Sequence, residues 1–125
     1  MDQDFLAFES LVETGRIEGR TTAFRGLATV GVDVGLLNDP APSCWSLYPS
    51  VALRLGLANT PASDEPAVTI LRETLPAGAR GLYVGGFEAE LMRPASLNLR
   101  AMERVHGSFD LLGMTIDVTL IAVES

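Results

Sequence analysis

The stretch Phe24-Arg25-Gly26-Leu27-Ala28-Thr29-Val30-Gly31-Val32-Asp33-Val34-Gly35-Leu36 keeps all its apolar residues but Leu27 on one parity. Phe24, Ala28, Val30, Val32, Val34 and Leu36 alternate with Arg25, Thr29 and Asp33. Successive side chains of an extended chain point to opposite faces, so a period of two predicts a strand buried on one side. The pattern predicts one long strand over residues 21–36, bent or bulged near Gly31 because few strands run that long.

The same alternation returns at Val51, Leu53, Leu55 and Leu57, predicting a second strand over residues 50–58. Further strands are expected over 67–75, 81–92 and 114–124. The segment 95–111 is patterned as a strand, with Leu97, Leu99, Val105, Phe109 and Leu111 on one parity. A helix from Pro94 to Gly107 is its alternative, and strand is preferred for 104–110. Prolines and turn formers end these runs: Asn38 to Pro42, Pro61 to Pro66, Pro76-Ala77-Gly78, and Leu112-Gly113.

Residues 2–14 read as a short amphipathic helix with Phe5, Phe8, Leu11 and Val12 on one stripe, closed by Gly15. So short a helix is marginal in water and must dock. Phe5, Phe8, Leu11 and Val12 are therefore the expected interface, toward this domain's own sheet or, preferably, a neighbouring subunit. With no helix of crossover length between consecutive strands, the expected fold is a single domain over residues 1–125. It is mainly β, a single antiparallel β-sandwich or small β-barrel of about six strands over residues 21–124, with a short N-terminal helix.

The 125 residues suffice for one core, and 47% apolar against 20% charged content is globular. A net charge of -7 repels phosphate, so nucleic acid is not an expected partner. All nine basic residues are arginine, which removes lysine-based chemistry. The single cysteine, Cys44, allows no intrachain disulfide. The start of the chain, with Asp2 and Asp4, lacks the basic region of a signal peptide, and no membrane insertion is expected. The expected location is cytoplasmic, with incorporation into a virion or other assembly.

Chemistry-bearing residues are few. His106, Ser108 and Asp110 share one strand face at about 7 Å spacing, geometry that permits a relay without aligning it. They are the weak catalytic candidates, against a solvated strand face. Glu88 and Glu90 form a second pair, followed by Arg93. Paired carboxylates do acid/base work, or keep an exposed strand soluble. One histidine and one cysteine leave any metal site to carboxylates, and no Asp-rich loop supplies one, so neither metal nor cofactor is expected.

These observations favour a non-enzymatic structural or assembly protein that acts by self-association: a phage tail, neck or decoration component, or a secretion-machine part. Its partners would be copies of itself or other subunits of the assembly. The alternatives are a β-barrel that binds a small apolar ligand and a small acid/base enzyme using His106, Asp110 or the glutamate pair.

Overall fold

The computed structural model describes residues 11, 12, 14–28, 36–38, 43–63, 65–94 and 98–125, with side chains left out at 36–38 and 109. In chain order the elements are β1 (Thr21–Ala28), β2 (Leu36–Asn38), β3 (Ser43–Ser46), α1 (Pro49–Ala58), β4 (Ala67–Leu75), β5 (Leu82–Gly85), β6 (Glu90–Arg93), β7 (Asn98–Leu111) and β8 (Met114–Glu124). The fold is mainly β, as the alternation implies. The strands form one sheet of eight in the order β2-β7-β8-β4-β1-β3-β6-β5. It is an open sheet, which corrects the expected barrel, and eight strands replace the expected six.

At the centre β4 and β8 run parallel, Val68 beside Val118 and Leu71 beside Ile121. This departs from an all-antiparallel sheet. No helical crossover is needed, because β5, β6 and β7 intervene in the chain. The remaining pairs are antiparallel.

The expected strand over 50–58 is the helix α1. Leucine at every second position is compatible with either period, and local preferences decide. Pro49 opens the helix with its φ already set, and alanine, leucine and arginine follow. The buried positions, Ala52 and Gly56, lie four apart on one helical face. That face sits on β1 at backbone distance: a Cβ on Gly26 would fall 1.6 Å from the Ala52 carbonyl oxygen. Phe24, Val68, Ile70, Leu53 and Leu57 fill the layer beneath.

The expected single strand over 21–36 is also corrected. Thr21–Ala28 pairs with β4, whereas Leu36–Asn38 pairs with β7. In the sheet order these strands stand four places apart, so one straight strand cannot hold both. Residues 29–35 lie outside the described residues. The expected strand over 81–92 is two strands, β5 and β6, around a turn at 86–89. The expected loop before Ser46 contains β3, whose Trp45 is 1% exposed in the main core with Leu71, Leu75, Leu91 and Ile121. The reading of 95–111 as strand holds for Asn98–Leu111, and the Leu112-Gly113 turn and final strand are as expected.

Candidate functional site

The two-residue spacing of Glu88 and Glu90 spans the end of a tight turn. Gly85 and Gly86 take φ of 82° and 78°, a left-handed conformation open to glycine, and Ala89 follows at 44°. The turn is fastened to the end of β3. Ser46 Oγ donates to the Glu88 carbonyl, and the Leu47 amide donates to the Ala89 carbonyl at 3.1 Å. Ser46 Oγ in turn accepts from the Tyr48 amide at 3.0 Å, just before α1. One buried hydroxyl thus fixes the turn to the β3–α1 junction.

Register then sets the side chains. Ser46 lies opposite Glu90 and Cys44 opposite Met92, so Cys44, Ser46 and Glu90 share a face. The Cys44 thiol donates to the Trp45 carbonyl at 3.9 Å, with the Glu90 carboxylate close enough to act on it. Its pKa is raised, first by burial and then by the carboxylates of Glu90 and Glu88, while the Arg25 guanidinium pulls the other way. Burial lowers the pKa of Arg25, with the Cys44 sulfur opposing, yet a guanidinium stays charged at any physiological pH. Glu88 also pairs with Arg54 of α1 at the surface. A hollow of about 280 Å³ adjoins the carboxylates, lined by residues 84–88 and Glu90, with the Phe87 ring fully exposed at its rim.

Cys44, Ser46, Glu88 and Glu90 thus gather where β3 and β6 meet, and the Arg25 guanidinium, one residue past the Phe24 that pairs with Ser46, is near enough across the join to act on the Cys44 thiol. A partly buried guanidinium suits a phosphate or carboxylate group. Carboxylates beside it can stabilise a developing cation or take a proton.

The weak catalytic candidates lie elsewhere. His106, Ser108 and Asp110 are exposed on β7, opposite Thr119, Asp117 and Thr115. Asp110 accepts from the Thr115 hydroxyl at 2.9 Å, and among the described residues no hydrogen bond links His106, Ser108 and Asp110. Of the expected interface, Val12 is fully buried and Leu11 is 56% exposed, while Phe5 and Phe8 lie outside the described residues. Sequence reasoning singled out the glutamates but missed Arg25, Cys44 and Ser46. Their one legible signal was the placement of Arg25 on the polar parity of an apolar strand.

No family model matches this chain, and no curated protein matches it. Solved structures do. Plx2a, an ADP-ribosyltransferase toxin from Paenibacillus larvae, superposes with a TM-score of 0.60 at 14% identity, over 99% of this chain and 73% of that one. The enzymatic component C2-I of the C2-toxin from Clostridium botulinum gives 0.70 at 13% identity, over 99% of this chain and 37% of that one. The ADP-ribosylating toxin BECa of a binary enterotoxin of C. perfringens, solved with NADH, gives 0.64 at 13% identity, over 99% and 36%. The chain therefore spans about three-quarters of Plx2a and little more than a third of the two larger toxins. Among the described residues no helix is long and apolar enough to cross a membrane. The expectation of a non-enzymatic structural or virion protein is corrected by these matches: over nearly its whole length this chain has the fold of ADP-ribosyltransferase toxins.

Proposed function

We propose that this chain is an ADP-ribosyltransferase domain that takes the ADP-ribosyl group from NAD. The observation that carries the reading is the gathering of Cys44, Ser46, Glu88 and Glu90 at one junction of a sheet with this fold, with the Arg25 guanidinium close enough to act on Cys44.

The chemistry fits those side chains. Breaking the bond between ribose C1′ and the nicotinamide nitrogen sends the electron pair to nicotinamide, which leaves neutral, and leaves positive charge on the ribosyl carbon. Glycosyl transfers of this kind pass through an oxocarbenium-like transition state that a carboxylate stabilises. Glu90, fixed by β6 opposite Ser46, takes that role. Arg25 pairs with the pyrophosphate, an anion matched to a guanidinium fork. A nucleophile, either water or an acceptor side chain, then bonds to C1′ and gives up its proton to Glu88.

Nicotinamide release from NAD, followed chromatographically, tests this. The wild-type chain should release it, and Glu90→Gln should reduce the rate about 10²–10³-fold, as for loss of one preorganised electrostatic partner. The variant should melt at the wild-type temperature, because Glu90 lies at the cluster's surface-connected hollow. A wild-type chain that releases no nicotinamide overturns the proposal.

A further inference from the structure

Along the sheet one join is much weaker than its neighbours. Among the described residues only Phe24 and Ser46 are paired between β1 and β3, whereas β1 and β4 are paired at every position of Thr21–Ala28. The candidate site straddles this seam. Arg25 belongs to β1, while Cys44, Ser46 and Glu90 belong to β3 and β6. With so few backbone hydrogen bonds across the join, side chains must hold the two halves at a fixed separation.

One buried contact does so. Arg93 of β6 meets Glu73 of β4, Nη1 to Oε1 at 2.5 Å, with both side chains under 5% exposed. In the sheet order these strands stand three places apart, about 14 Å at ordinary strand spacing. Their long side chains therefore reach across β1 and β3 to meet. On the way the Arg93 guanidinium lies 5.6 Å from the centroid of the Trp45 ring. Trp45 stands between Cys44 and Ser46 on the opposite face of β3. The second oxygen of Glu73 accepts from the Ser125 amide and hydroxyl, both at 2.8 Å.

This pair is not arranged for stability alone. Among the described residues, nothing accepts a hydrogen bond from the buried Arg93 Nε. A buried ion pair also adds little over apolar side chains of similar volume. What it adds is a fixed position, since a guanidinium gripped by a carboxylate and laid on an indole has one place to be.

We infer that Glu73 and Arg93, packed on Trp45, are positioning residues that set the separation of Arg25 from Cys44 and Glu90. Only the chemical consequence rests on the transferase reading; the geometric one stands apart from it. Neither residue touches the reacting atoms.

The test replaces the pair by apolar side chains, Glu73→Leu with Arg93→Met, and measures three quantities. The double variant should melt at or above the wild-type temperature. Cys44, the chain's single thiol, should react several-fold faster with iodoacetamide. Its rate should titrate at lower pH, because opening the seam relieves the burial that is the largest cause raising the thiol pKa. This outweighs the loss of the opposing pull of Arg25, while Glu88 and Glu90 stay with Cys44 on the same side of the join. Turnover of NAD should fall about 100-fold in kcat, the cost of a displacement near 1 Å.

A stable variant with wild-type thiol reactivity and pH profile overturns the inference. Faster alkylation in the variant, with no nicotinamide release from the wild type, supports the staple and removes the transferase reading. Should the double variant fail to fold, Arg93→Lys is measured in the same way. It keeps the charge but loses the planar stack, and unaltered thiol reactivity there overturns the inference too.

Discussion

Cys44 has the least ordinary surroundings of any side chain in the cluster. Its thiol is held neutral by burial and by the carboxylates of Glu90 and Glu88. The linkage sign follows from that. A thiol whose pKa is raised on folding contributes stability that is fully present below its unfolded value, about 8.5, and is lost as pH rises through the raised folded value. The wild-type melting temperature should therefore fall more steeply than that of Cys44→Ser above about pH 8.5 and run parallel to it below. Scanning calorimetry from pH 7 to 10.5 would show it; parallel curves across the whole range would mean that the thiol ionises as freely in the fold as outside it. Ser46 plays a different part, since its hydroxyl carries no charge and acts only by tying Glu88 to Tyr48.

Among the elements, α1 depends most on a single neighbour. It lies on the bare backbone of Gly26, the residue after Arg25, and Gly56 meets the Val68 side chain in the same way. Gly26→Ala forces helix and strand apart, because the added carbon meets backbone rather than a yielding side chain. The expected loss is about 1–3 kcal/mol in urea unfolding, the usual range for overpacking, with Arg25 displaced and nicotinamide release reduced alongside. Full stability in that variant would mean that the helix does not rest on the strand. Local pattern made some elements readable. β4 lies between Pro66 and Pro76, and β7 and β8 are joined by Leu112-Gly113, whose two positive φ angles make a tight hairpin. The helix was not readable from Val51, Leu53, Leu55 and Leu57, because every second position also visits the inner side of a short helix. β3 was hidden by the proline and serine around it. The spacing of Glu88 and Glu90 was plain, but Arg25, Cys44 and Ser46 meet them through pairings between distant strands, and such register is not written locally.

At the scale of the whole molecule, the sheet is two unequal parts that share the main apolar core, one weak join and one buried ion pair. The larger part contains the parallel centre of β4 and β8 and most of the main core; the smaller one carries the carboxylates. Such a division gives the protein a way to loosen locally without unfolding. The core where the parts meet holds Trp45, the chain's one tryptophan, fully enclosed beneath a guanidinium. Its emission should be blue-shifted in the native state and move to the red in dilute urea before far-ultraviolet circular dichroism reports loss of strands. Coincident transitions would mean that the join opens only when everything does. The indole is thus a native optical gauge of the join, readable without any label.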